Sequence, residues 1–400
     1  MKLAGLLDLV ASDAAVSGAA SRARAGDSPA SLDLTGPTAL RPFVAATVAA
    51  AGRPVLAVTA TTREADELAA ALRCLMDADR VAVYPAWETL PHERLSPRAD
   101  TVGRRLAVLR RLRHPSADDP AHGPIDVLVA PIRSVLQPQV AGLADLAPIA
   151  LAAGDDVAFD DVVTRLVDIG YSRVDLVERR GEFAVRGGII DVFPPTDEHP
   201  LRVEFWGDSV EEVRSFAVAD QRSLAEGVSL LWAPPCREML LTPDVRARAK
   251  QLATEQPGLA DILEMIADGN PVEGMESLAP VLVDHMTLLL DEVAAGTHVL
   301  VCDPERVRTR AAELVRTSQE FLEASWAVAA GGGTAPIDLG GAAYRSVADV
   351  RAYAGELGVP WWTLAPFSTD EDDDVVISAA EAPSYRGDTE AAVADIRGWV

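Results

Sequence analysis

Hydrophobic positions follow two different periods along this chain, and the switches between them divide it. Residues 54–59 (PVLAVT), 81–84 (VAVY), 125–130 (IDVLVA) and 298–302 (HVLVC) are short, nearly continuous apolar runs. Runs of that length predict strands covered on both faces, as in parallel sheets. Residues 63–76 repeat apolar positions at helical spacing, and 101–112 form a basic amphipathic pattern. Strand and helix in alternation predict a parallel α/β sheet.

From about 141 to 226 the period drops to two. Leu201, Val203 and Phe205 alternate with Arg202 and Glu204, while 182–186 and 189–193 flank Gly187-Gly188, a pair suited to a tight turn with φ > 0. This stretch predicts a small antiparallel sheet whose polar face carries Arg173, Arg179, Arg180 and Arg186 among Asp175, Glu178, Glu182 and Asp191. Such a mixed field reads as a solvated sheet face or a protein-docking surface, not a catalytic pocket. Segments 240–268 and 274–295 are helical in pattern before the apolar run at 298 returns. The order implies a β-rich domain (141–226) inserted into a split α/β domain (1–140 and 227–330). Gly331 to Thr334 reads as a linker turn, and 331–400 as a linker plus a further small α/β domain that stops without a core of its own. The expectation is a piece of a longer protein.

Composition narrows the function. Four hundred residues with 49% apolar content and no apolar run near 20 predict two to four globular domains and no membrane-spanning helix. The charge of 36 − 61 = −25 opposes sequence-independent binding to phosphate backbones. Only Lys2 and Lys250 are lysines, so arginine carries nearly all the positive charge, as a GC-rich coding sequence would give. Cys74, Cys236 and Cys302 are isolated and predict buried free thiols, and six scattered histidines show no paired metal spacing. Asp370 to Asp374 reads as a solvated acidic loop. The opening MKLAGLLDLVASDAAV has one positive charge and no signal-peptide cleavage pattern, so a cytoplasmic location is expected.

Two long motifs carry a family resemblance. GYSRVDLVERRGEFAVRGGIIDVFPP (170–195), followed by RVEFWGDSVEEVRSFAVADQRS (202–223), closely resembles the second domain of the UvrB family and of the bacterial transcription-repair coupling factors, Mfd. YPAWETLPHERLSPRADTVGRRLAVLRRL (84–112) resembles the coupling-factor version of the first domain. The resemblance covers roughly 30–230 strongly and 230–320 weakly. It implies a degenerate helicase-like domain interrupted by an inserted domain that recruits the repair protein UvrA. It further implies contacts to UvrA from Arg173 and Arg186, with Phe183, Arg179 and Arg180 flanking. Ala184 stands where UvrB commonly has a further arginine.

The same resemblance locates a nucleotide site that has lost its parts. A working P-loop needs glycines for backbone N–H groups, a lysine for the β/γ charges and a hydroxyl for Mg²⁺. The matching segment is Leu34-Thr35-Gly36-Pro37-Thr38-Ala39-Leu40-Arg41: one glycine, no lysine, a proline that removes a donor, and Arg41 shifted into the next helix, where surface contacts are expected. At the other half, Asp303 is followed by Pro304 in place of the carboxylate that would orient an attacking water, so Asp303 reads as a strand-end or cap residue. No cofactor is expected in this fragment. ATP and Mg²⁺, like RNA polymerase and DNA as partners, are expected of motor and polymerase-binding domains elsewhere in the full protein. Between 84 and 101 only Tyr84 and Trp87 are aromatic, too few for a hairpin that stacks on damaged DNA. Two other classes compete: an active UvrB-like ATPase or helicase, and a DNA-binding module in which Arg104, Arg105, Arg110, Arg111 and Arg113 track phosphates.

Overall fold

The computed structural model describes residues 3–25, 30–90, 93, 95–224, 228–330, 344–367, 375–381 and 383–399. The linker turn at 331–334 and the acidic run 370–374 lie outside them. In chain order, α1 (Ala4–Ala11) and α2 (Ala14–Ala25) lead into β1 (Ser31–Thr35), α3 (Arg41–Ala50), β2 (Val55–Thr59), α4 (Thr62–Leu75), β3 (Val81–Val83), α5 (Ala99–Arg113), β4 (Val127–Pro131), α6 (Ile132–Leu136) and β5 (Gln139–Val140). The insert holds β6 (Ile149–Ala152), α7 (Phe159–Asp168), β7 (Ser172–Arg173), β8 (Glu182–Arg186), β9 (Ile189–Val192), β10 (Leu201–Trp206), β11 (Ser209–Ser215) and β12 (Leu230–Ala233). After it come α8 (Pro243–Glu255), α9 (Ala260–Ala267), α10 (Ala279–Leu282), β13 (Met286–Thr287), β14 (His298–Cys302), α11 (Pro304–Ala330), α12 (Val347–Glu356), β15 (Trp361–Ala365), β16 (Val375–Val376) and α13 (Thr389–Trp399).

The apolar runs form the expected parallel sheet, ordered β16-β1-β15-β14-β2-β4-β3. β2, β4 and β14 are buried at every position because helices cover both faces. Local signals fix the helices that do so. The Thr61 hydroxyl accepts from Glu64 N at 3.3 Å to start α4, and Ser346 and Asp349 form a capping box on α12. The seven strands correct one expectation. Residues 361–365 do not begin a separate α/β unit: β15 lies between β1 and β14, its Trp361 and Trp362 in register with Ser31 and Leu32 on one side and Val299 and Leu300 on the other. A strand as apolar as WWTLA needs neighbours on both edges and cover on both faces, and the sheet supplies them.

The insert is the predicted small sheet, ordered β11-β10-β9-β8-β7, antiparallel except for the β7–β8 pair. One face packs Phe183, Ile190, Val192, Leu201, Val203 and Phe205 against Val162 and Leu166 of α7 and Ile149 and Leu151 of β6. The insert also touches α5. Gly103 faces the ring of Pro195, and a Cβ there would sit 2.5 Å from Pro195 Cβ. Gly103→Ala is therefore expected to lower stability by about 1–3 kcal/mol, as overpacking does at rigid contacts. A urea titration checks it; an unchanged midpoint would mean that the insert shifts freely on α5.

Candidate partner-docking site

The segment expected to match a nucleotide loop is closed by its own backbone and side chains. Gly36 N donates to Ala365 O at 2.9 Å and Ile377 N donates to Thr35 O at 2.9 Å, so this short turn is tied to β15 and to the segment after β16. A Cβ on Gly36 would lie 3.1 Å from Leu40 Cδ1 and 3.4 Å from Ile377. Thr38 is left exposed on the turn. Arg41 departs from expectation. It is buried, and its Nη2 lies 3.4 Å from Asp303 Oδ2. The tight turn sets the start of α3 against the strand ends, and β15 is the one strand separating β1 from β14, a gap that a guanidinium spans. Asp303 also does what a cap residue does. Its Oδ1 accepts from Arg306 N at 3.3 Å at the start of α11, from a backbone at φ 64°. The two segments expected to form a nucleotide site thus meet as an ion pair.

The arginines of α5 are likewise engaged. Arg105 is fully buried: Nε donates to Glu238 Oε1 at 2.5 Å, Nη1 to Pro85 O at 2.8 Å, and the guanidinium lies 4.2 Å from the centre of the Tyr84 ring. Trp87 Nε1 donates to the same Glu238 oxygen at 2.9 Å. Both aromatics expected too few for a probing hairpin are thus core residues. Arg111 donates to Gly123 O at 2.9 Å, Arg110 to Leu146 O at 3.4 Å, Arg113 pairs with Glu292 at 3.4 Å and Arg104 with Asp100 at 3.8 Å. The helix covers the sheet and turns its charges inward or onto neighbours. Of the cysteines, Cys236 and Cys302 are buried as expected, whereas Cys74 is exposed; its place near the end of α4, a helix with one face to solvent, explains the difference.

On the insert, the face opposite the core sorts its charges into two sets. Arg202 forms a two-pronged bond with Asp191 (2.7 and 2.9 Å) and lies 4.7 Å from the Phe216 ring centre. Arg214 pairs with both Glu204 and Glu212. Arg180 donates to Asp197 O at 2.9 Å and stacks on Phe193, its guanidinium 5.2 Å from the ring centre. Burial pushes the Asp197 carboxyl up to about 6, so it gives Arg180 little charge in mildly acidic solution and the carbonyl holds the side chain. These arginines are committed to the sheet. By contrast, Arg173 and Arg179 are exposed with no hydrogen bond or ion pair from their guanidinium groups among the described residues.

Arg186, exposed at the end of β8, donates to Asp175 O at 2.7 Å, which places it beside the strand that carries Arg173. The structure thus puts Arg173 and Arg186 on the same two edge strands but on opposite sides of the sheet, Arg173 being in register with Phe183, and sets Arg179 at the far end of β8. Phe183 is a correction. It points into the core with 0% exposure, because β8 alternates and Phe183 shares a face with Ile190 and Val192; it supports the edge and faces no partner. One surface residue escaped the sequence reading. Trp206 continues the outward set Arg202, Glu204 and is 81% exposed. The alternation that placed Leu201, Val203 and Phe205 inside was the signal that could have found it.

Comparison with known proteins agrees with this division. Residues 149–234, the insert, match the model of the UvrB interaction domain. Over 381 residues, 91% of its length, the chain is 52% identical to the transcription-repair-coupling factor of Mycobacterium bovis, covering 30% of that protein. The corresponding factor of Bacillus subtilis is 27% identical over 70% of this chain and 25% of its own length, and that of Escherichia coli 35% identical over 35% and 12%. The chain therefore spans about a third or less of the length of these relatives.

Proposed function

We propose that this chain, the N-terminal region of a transcription-repair-coupling factor, recruits UvrA through the β7–β8 edge of its inserted domain. The observation that carries the reading is the sorting of charge there. Arg202, Arg214 and Arg180 hold the sheet together, while Arg173, Arg186 and Arg179 stand exposed at its edge. An arginine fork without a carboxylate of its own suits an acidic partner surface. Titration of purified UvrA with this chain tests it, and the absence of saturable binding would sink it.

The helicase-like domain acts as a scaffold that neither holds nor hydrolyses ATP. Its Gly36 and Leu40 amides are bonded to the Ala365 and Pro37 carbonyls, its one glycine is packed by Leu40 and Ile377, and Arg41 already neutralises Asp303. Millimolar ATP with Mg²⁺ is expected to move the melting midpoint by less than about 1 °C, since stabilisation follows RT ln(1 + [L]/Kd). A saturable shift that is lost in Asp303→Ala would overturn this. In the full-length protein, domains beyond these residues would bind RNA polymerase, use ATP and Mg²⁺ to translocate on DNA and displace the stalled enzyme; the present region supplies the link to repair. Its place of action is then the cytoplasm, and among the described residues no helix is long and apolar enough to cross a membrane.

A further inference from the structure

Trp206 is the most exposed large apolar side chain among the described residues, at 81%. Folding does not account for it. Its neighbour Phe205 fills the core and meets Phe159 edge-on at 5.1 Å, so the indole points to the opposite, outward face. That face is the arginine-bearing one. Register pairs Arg186 with Ile189 and Ile189 with Glu204, and Trp206 follows two residues on, past the Gly187-Gly188 turn, where Phe205 N donates to Gly188 O at 2.8 Å. Arg186 and Trp206 therefore occupy one face at one end of the sheet.

The hairpin that presents the indole is fixed in place. Gly207 adopts φ 64° in the turn, Asp208 O accepts from Val157 N at 2.8 Å, and Asp208 Oδ1 accepts from Phe159 N at 3.1 Å. A large side chain on a rigid mount loses little entropy when it is covered, and tryptophan and arginine are the residue types most enriched among those that dominate interface energetics.

We propose that Trp206 is the apolar anchor of the UvrA-docking face, inserting into an apolar recess of UvrA flanked by a carboxylate that receives Arg186. The proposal rests on the UvrA reading above and adds to it an occupant for the indole. Continuity with the arginine edge favours UvrA over a second copy of this chain, whose net charge of −25 would oppose self-association.

The test titrates purified UvrA with this chain and with Trp206→Ala and Trp206→Phe, each with a melting curve and sedimentation of the chain alone. Trp206→Ala is expected to weaken binding about tenfold or more and Trp206→Phe much less, with unchanged melting. The loss from Trp206→Ala should persist at high salt, because it is apolar. Affinity within about twofold of the parent, while Arg173→Ala with Arg186→Ala loses binding, would place Trp206 outside the interface and leave the UvrA reading standing. A parent chain that fails to bind UvrA would remove both. A dimer of the parent that Trp206→Ala dissolves would assign the indole to a second copy and overturn the proposal.

Discussion

Arg173→Ala combined with Arg186→Ala is expected to lower affinity for UvrA by about 30-fold or more while leaving the melting midpoint within a few degrees of the parent. Truncating an interfacial arginine that becomes desolvated typically costs about 2–5 kcal/mol, much of it from the partner charge left unpaired. The fold loses far less. Arg173 is exposed, and Arg186 gives up a single solvent-side bond to Asp175 O. Exposed contacts of this kind are worth about 0–1 kcal/mol. The contrast with Arg202→Ala makes the experiment decisive, since Arg202 leaves Asp191 buried at 2% exposure without its partner and should destabilise the sheet itself. Unchanged UvrA affinity in the double variant would eliminate the edge as the docking site. A collapsed melting curve would instead make these arginines structural.

How much of this was legible in the sequence depends on the range of the interaction that decides each feature. Strands at 55–59, 127–131 and 298–302 are set by local apolar runs and appear within two residues of where the pattern puts them. The alternation of 201–206 gives both faces of β10 and, read to its last residue, exposes Trp206. Strand order is another matter. Nothing local tells Trp361 to lie between Ser31 and Val299, because that choice is made by packing among segments more than 60 residues apart in sequence. The same holds for Arg41, which meets Asp303 across 262 positions. That residues 34–41 hold no lysine was plain from the sequence, whereas the pairing of Arg41 with Asp303 was not. Phe183 failed for a simpler reason: a motif carries residues kept for the core as well as residues that face a partner, and only burial separates them.

Arg105→Ala is expected to cost about 3–5 kcal/mol of stability, the largest loss among these variants, because it strands a buried carboxylate. Arg105 and Glu238 are 0% and 2% exposed, and Glu238 answers both Arg105 and Trp87 Nε1. The pair also joins α5, which precedes the insert, to the segment that leaves it, 133 residues later. Its loss should therefore loosen the seat of the insert on the α/β domain, where Gly103 meets Pro195. A urea titration followed by intrinsic fluorescence reads the effect. Arg105→Met with Glu238→Leu should recover much of it, since removing both charges leaves neither unpaired. If Arg105→Ala were as stable as the parent, water would have to reach Glu238 in the variant, and the pair would be no tether. If the single variant were unstable yet bound UvrA with parental affinity below its melting transition, the docking edge would be shown to work independently of how firmly the insert is seated. That separation is what the sorting of arginines predicts: Arg202 and Arg214 hold the sheet from within, so the edge that carries Arg173 and Arg186 keeps its shape even when the scaffold beneath it is weakened.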